Sequence, residues 1–410
     1  MESSHRNVIT GTPESELTTS PSPRALHPST TTLSNTSSSS QRFRAIADKV
    51  NKNSKCRCLL WIFAFWCAST VVFMLIGYDS VVDTVAVGHM VLEEGSEKYE
   101  AWKNTPMPVY YRVHVFNLTN PHEFMAGDRP RVVECGPYVY RMIEEKTSVN
   151  FHEKNGSVTY RSRPLYFFEP YLSGGSEDDV IWTVNIPFVN AADAVKDQAF
   201  YKFFLSLVKK VHGFKTLRKL SVKELLWGYT SDVMEWARTM QELPYPHPQF
   251  GLLVGFNNTI QEAYTMYTGA SNSDNLNQIY AWNGKTKLDF WSADSCNEIK
   301  GTDAAGFHPN VKPTDTLHIF NGQLCRSIPL IFNKKVLHSG IETYRFMPPP
   351  NVFEYGPDNS KNYCYCTKGG CPPKGVLDMK SCYWGAAIGF TFPHFYQADP
   401  KLRHMVRGLK

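Results

Sequence analysis

Residues 58–78 read CLLWIFAFWCASTVVFMLIGY, twenty-one positions without a charged side chain. At 1.5 Å rise per residue that run is long enough to cross the hydrocarbon core of a bilayer, and a soluble core helix is seldom apolar on every side. Arg42, Arg44, Lys49, Lys52, Lys55 and Arg57 precede it with only Asp48 among them, and Asp79 follows it directly. That asymmetry predicts a cytosolic N-terminus and export of everything beyond Asp79. More than fifty residues stand before the apolar run, far beyond the charged leader of a cleaved signal peptide, so an uncleaved anchor is expected.

Working outward, the chain divides into residues 1–57, 58–78 and 79–410. The first part opens with a tail rich in Ser, Thr and Pro that includes the serine run 37–40. It has too little apolar side chain to offset its ordering entropy, and disorder is expected. Cys56 and Cys58 stand at the cytosolic membrane boundary, where thiols are either S-palmitoylation targets or ordinary reduced cysteines. The third part leaves roughly 330 residues, enough for one large domain or two ordinary ones. With 13% aromatic residues it can bury a sizeable core, and a net charge of +5 that owes much to the cluster before the anchor gives no ground for nucleic-acid binding.

Beyond the anchor, apolar positions between 80 and 102 carry a helical spacing that ends near Pro106. Short strand-like runs follow at 109–116, 157–160, 165–168, 180–186, 316–320 and 343–347, and Asn155-Gly156, Gly174-Gly175, Asn283-Gly284 and Asn321-Gly322 supply turn signals. Between 190 and 240 the strand pattern stops. There Ala192, Val195, Ala199, Phe203, Val208 and Val211, then Leu217, Leu220, Leu225 and Leu226, predict two or three short helices inserted into a β-rich domain.

Six cysteines cluster at Cys296, Cys325, Cys364, Cys366, Cys371 and Cys382. Their spacing lacks the paired knuckles of a structural zinc site, and on an oxidising side of a membrane such a set predicts three disulfides. Spacing alone leaves the pairing open. Three glycosylation sequons fall after the anchor at Asn117, Asn155 and Asn257. No catalytic or cofactor motif is present: no nucleophile elbow, no His-Glu-x-x-His, no phosphate loop, no dinucleotide fingerprint. The chain is therefore read as a non-enzyme without a metal or cofactor. The acidic run Glu177, Asp178 and Asp179 reads as a solvated loop in preference to a calcium site. Lys202, Lys209, Lys210, His212, Lys215, Arg218, Lys219 and Lys223 concentrate basic groups in the helical insert, either as a solvated face or as a docking patch for anionic particles and carboxylate head groups.

These stretches together resemble a known family. YEAWKNTPMPVYYRVHVFNLTNPHEF (99–124) and PRVVECGPYVYR (130–141) are similar to the class B scavenger receptors, the group that contains fatty acid translocase, lysosomal integral membrane protein and the sensory neuron membrane proteins. FHEKNGSVTYRSR (151–163), FEPYLSGGSEDD (168–179), ELLWGYTSDV (224–233), WNGKTKLDFW (282–291), CNEIKGTDAAGFHP (296–309), LCRSI (324–328), NYCYC (362–366), GVLDMKSC (375–382) and PHF (393–395) follow in the family's order. The resemblance implies a mainly β ectodomain, an irregular antiparallel β-barrel with a small helical bundle at its apex near 190–240, preceded by one transmembrane helix. It implies disulfides Cys296–Cys364, Cys325–Cys382 and Cys366–Cys371. It also implies a tunnel that passes lipid to the membrane, with capture of fatty acids, lipids or lipoprotein particles by basic apical residues. The nearest counterparts are Lys209, Lys210 and His212, with Lys202 and Lys215 beside them.

Two departures qualify the resemblance. Cys135 stands before Gly-Pro-Tyr where the family carries no cysteine, which leaves an odd thiol open to intermolecular pairing and oligomerisation. Family members continue past the equivalent of Lys410, so a truncated isoform or incomplete chain without transport activity is the rival expectation, with an adhesion or sorting receptor using the basic apex as another. The plasma membrane is the expected location, with the lysosomal or endosomal membrane as the alternative.

Overall fold

The structure, a computed structural model, describes residues 36–52, 54–240, 245–367 and 369–409. The chain separates into two compact units, Met1–Val81 and Val82–Lys410. In the first, α1 (Thr36–Lys52) is followed by α2 (Ser54–Ile76). Residues 1–35, the greater part of the tail expected to be disordered, lie outside the described residues; 36–52 is helical. Within α2 the stretch Arg57–Ile76 is long and apolar enough to cross a membrane, and none of it is buried against protein. Twenty residues at 1.5 Å each span about 30 Å, the thickness of the hydrocarbon layer. Helix α3 (Tyr78–Met90) follows across the boundary between the units.

In the second unit, α4 (Glu97–Lys103) starts at Ser96, whose hydroxyl accepts the Tyr99 N–H at 3.0 Å. Strand β1 (Val109–Leu118), the short helix α5 (Pro121–Met125), β2 (Val132–His152) and β3 (Ser157–Phe168) come next. Gly156, in the left-handed conformation at φ 59°, makes the turn between β2 and β3 that Asn155-Gly156 predicted. The runs 157–160 and 165–168 merge into one strand through Pro164. Strand β6 (Ala263–Tyr267) pairs with β3 only over Ser157–Arg161, so Pro164 faces no second strand and its missing N–H interrupts no ladder there. With β7 (Ile279–Trp282), these strands form a five-stranded antiparallel sheet in the order β1-β2-β3-β6-β7. Register shifts at Val113/Val115, Thr147/Asn150 and Thr265/Met266 curl it.

A second antiparallel pair, β4 (Val180–Val184) and β5 (Leu217–Ser221), brackets α6 (Ile186–Ala194) and α7 (Ala199–His212). Helices α8 (Val222–Trp227) and α9 (Asp232–Met240) follow. This corrects the reading of Leu217 and Leu220 as helical: both are buried in β5, where pairing with β4 satisfies a backbone that local propensity would have left helical. The acidic run beside β4 lies in an exposed loop, as its composition suggests, with Glu177 half-buried and two of its carboxylates taking hydrogen bonds from tyrosines. Tyr140 Oη donates to Glu177 at 3.1 Å and Tyr138 Oη to Asp179 at 3.0 Å. Burial, reinforced by Asp179, pushes the Tyr138 hydroxyl up to about 12.

Past α10 (Asp294–Asn297), a three-stranded sheet of β8 (Leu317–Asn321), β9 (Arg326–His338) and β10 (Ile341–Met347) and the pair β11 (Val376–Asp378) and β12 (Gly389–Thr391) complete the strands, with α11 (Pro400–Met405) last. Three disulfides brace this part: Cys296–Cys364, Cys325–Cys382 and Cys366–Cys371. Around them Trp291, Leu317, Ile328, Leu330, Val352, Phe353, Tyr365 and Leu377 form one apolar core. The described strands thus make a mixed helix-and-sheet fold of four separate antiparallel sheets.

Candidate ligand-binding surface

Helix α7, AFYKFFLSLVKKVH, contains more large apolar residues than one packed face requires. One stripe packs inward: Val208, with Leu205, joins Phe188, Phe214, Val233 and Trp236 in a small core. Gly213 ends the helix in the left-handed conformation and returns the chain toward β5, its N–H bonding the Lys209 carbonyl. The opposite stripe is largely exposed, although Phe200 meets the neighbouring Tyr201 ring and Phe204 reaches Trp236. Phe200 is 73% exposed, Phe203 70%, Leu207 49% and Val211 71%, with Phe204 beside them at 43%. Their spacing of three, four and four residues places them along one ridge about 16 Å long.

Phe203 and Val211, which with Val208 carry the helical pattern of the sequence, are indeed helical and lie on the solvent side, because the inward arc is already filled by Leu205 and Val208. The excess of apolar positions in α7 was the available signal.

The predicted basic residues separate into two groups. Lys209 turns inward: its ammonium donates to Thr216 Oγ1 at 3.0 Å and sits 5.0 Å from the Phe188 ring centroid. Arg218 and Lys219 lie over Tyr229 and Trp182, at 5.0 and 5.1 Å. Lys202, Lys210, His212, Lys215, Lys219 and Lys223 are exposed. By helical spacing Lys210 borders the ridge next to Phe203, whereas Lys202 lies farther round toward the packed side. His212 stacks on Phe214 at 5.4 Å between centroids. The insert therefore presents an apolar ridge bordered by Lys210, with further exposed basic residues on its other faces.

At the sequons, Asn155 and Asn257 are exposed and Asn117 half-buried. Each amide oxygen accepts a hydrogen bond: Asn117 from the Trp182 N–H (2.9 Å), Asn155 from the Ser157 hydroxyl (2.8 Å) and Asn257 from the Tyr166 N–H (3.0 Å). Cys58 is exposed, and the Cys56 side chain lies outside the described residues. Cys135 is a half-buried free thiol opposite Val115. Among the described residues, no three His, Cys, Asp or Glu side chains are grouped to hold a metal ion.

The chain thus combines an apolar helix of membrane-spanning length, a disulfide-braced antiparallel domain and an exposed apolar ridge. The chain belongs to the CD36 family, whose profile matches residues 59–410. It is 34% identical over 335 residues to lysosome membrane protein 2 of Rattus norvegicus, covering 81% of this chain and 69% of that protein. The Homo sapiens lysosome membrane protein 2 is 33% identical over 333 residues, with the same shares. Scavenger receptor class B member 1 of Mus musculus is 32% identical over 346 residues, 83% of this chain and 67% of the relative. The scavenger-receptor resemblance read from the motifs is thus borne out, and with it membership in a family of membrane proteins.

Proposed function

We propose that this chain is a membrane-anchored lipid receptor. Residues 58–78 cross the bilayer, residues 1–57 are cytosolic, and residues 79–410 form an ectodomain on the oxidising side. The basic cluster before α2, the three disulfides and the sequons support that orientation. The ridge of α7 takes the acyl part of a fatty acid, lipid or lipoprotein surface, while exposed Lys210 at its margin attracts the anionic head, and Lys202, His212 and Lys215 on other faces of the insert add to its positive field. The observation that carries this reading is the row of exposed Phe200, Phe203, Leu207 and Val211 on a helix whose other face is already packed. Each acyl CH₂ removed from water contributes about 0.8 kcal/mol, so a few turns of apolar helix suffice for capture. In the same reading the antiparallel sheets are walls of a barrel whose interior passes lipid to the membrane, at the plasma membrane or, as for the lysosomal relatives, at an internal one.

The test uses the full glycosylated chain in neutral nanodiscs and a photoactivatable fatty acid. Labelling of 200–211 that saturates, is competed by unlabelled fatty acid and weakens about tenfold in Lys202→Glu/Lys210→Glu supports the reading. Labelling that never saturates, or that is confined to α2, overturns it.

A further inference from the structure

Helix α1 precedes the span in the same compact unit, and its side chains are sorted by face. Phe43 is 74% exposed and Ile46 61%. At 100° per residue, Ile46 and Ala47 fall within about 60° of Phe43, while Arg44 stands about 100° to one side and Arg42 and Lys49 about 100–120° to the other. A narrow apolar arc is therefore flanked by cations on both sides. Between 42 and 57 the sequence carries Arg42, Arg44, Lys49, Lys52, Lys55 and Arg57 against Asp48 alone. Helix α2 begins at Ser54, two positions past the end of α1.

We infer that α1 is an anionic-lipid-binding helix. It lies along the leaflet from which α2 departs, with Phe43 and Ile46 in the boundary between head groups and acyl chains and the flanking arginines and lysine on phospholipid head groups. The inference rests on the proposal that α2 spans the bilayer. Charge complementarity selects the lipid class: one acid among six bases is repelled by no anionic surface and gains little from a zwitterionic one. Two large apolar side chains would give a free peptide only weak membrane affinity. Here the span already holds α1 at the surface, so the association entropy is met by α2, and the basic groups decide whether α1 lies flat or projects. Each basic group close to an anionic surface shifts that balance by about fivefold.

The experiment is hydrogen exchange on the full chain in nanodiscs of phosphatidylcholine, with and without phosphatidylserine. Amides of 40–49 are expected to exchange at least about tenfold more slowly in the anionic discs, molar salt to erase the difference, and Arg42→Gln/Arg44→Gln/Lys49→Gln to abolish it. Phe43→Ser/Ile46→Ser is expected to speed exchange in the anionic discs while α2 stays protected. Equal rates in the two lipids overturn the inference, as does protection that arises only when cytosolic protein is added. Both faces of a nanodisc carry the same lipid, so a reversed orientation leaves the result unchanged. Failure to enter nanodiscs at all overturns the spanning reading, and this inference with it.

Discussion

Replacing Phe203 and Leu207 together by serine separates the two faces of α7. Complete burial of such a side chain contributes about 1.5–3 kcal/mol. Phe203 is 70% exposed and Leu207 49%, so about 1–2 and 0.7–1.5 kcal/mol of that gain are still unrealised in the free protein. A bound acyl chain covering half of the remaining area would recover about 0.9–1.8 kcal/mol, a five- to twentyfold effect on Kd. The folded state should barely respond, because both changes are at exposed positions and surface substitutions ordinarily fall within about 0.5 kcal/mol. The contrasting variant is Val208→Ala, one residue away. Val208 is 7% exposed among Phe188, Phe214 and Val233. Loss of two methyl groups plus the cavity they leave costs about 2–3 kcal/mol, a few degrees of Tm for a unit of this size.

The assay pairs competitive photolabelling by the fatty acid with thermal unfolding of the same samples. The expected pattern is weakened binding at unchanged Tm for Phe203→Ser/Leu207→Ser, and lowered Tm with near-normal binding below the transition for Val208→Ala. Binding within twofold of the parent in the ridge variant refutes the reasoning, since the ridge would then have no contact with ligand.

Further outcomes follow from the braces and the buried groups. Removing Cys325–Cys382 with a double alanine substitution should cost about 4 kcal/mol, because that bridge closes a separation of 57 residues; removing Cys366–Cys371, with a separation of 5, should cost about 2 kcal/mol, both measured by denaturant unfolding. Burial, with Lys300 nearby, holds the His318 imidazole below its ordinary 6.5. A depressed histidine adds stability above the unfolded value that is lost as pH falls through it, so Tm should drop between pH 6.5 and the lower folded value, and His318→Gln should flatten that part of the profile. Glycosidase treatment should remove three glycans, and Asn117→Gln, Asn155→Gln and Asn257→Gln should each remove one, read as mobility steps; unchanged mobility of the parent contradicts the export of residues beyond Asp79.

What the chain reveals without coordinates follows from how local each cause is. Helix α2 is legible because its composition alone specifies it: no charge for twenty-one residues leaves no face to offer water. Strand β1 is legible because VYYRVHVF favours an extended chain wherever it lies. The hairpin between β2 and β3 is legible because Asn-Gly adopts the left-handed turn cheaply. Strand β5 is not, since Leu217 and Leu220 are three apart, as in a helix, and only the partner β4 makes the backbone extended. The fates of Lys209 and Phe203 are equally hidden. Six residues apart on one helix, the cation turns in to Thr216 and the ring turns out, a choice set by the Phe188 ring and by a core already filled by Val208. Charge density did not tell inward Lys209 from its exposed neighbours, whereas the apolar excess of α7 pointed to the exposed ridge.

That difference discriminates between the two kinds of ligand a basic helical segment could serve. A surface for polyanions gains its affinity from cations spread toward solvent, and bulky rings among them contribute only desolvation risk and self-association. Here two of the cations are held against the fold, Lys209 over Phe188 and Arg218 over Tyr229, and exposed Lys219 leans on Trp182. The large side chains of α7 left mostly to solvent are Phe200, Phe203, Leu207 and Val211. An amphiphile with a long apolar body and one anionic end matches that inventory, whereas a uniformly charged polymer leaves the ridge in water. The consequence is a salt test. Binding dominated by the ridge should weaken by less than about tenfold between low and molar salt, since apolar burial is insensitive to screening, while polyanion binding through several cations would fall by orders of magnitude. A steep salt dependence of fatty-acid labelling would therefore count against the ridge and return the exposed lysines to the centre of the mechanism.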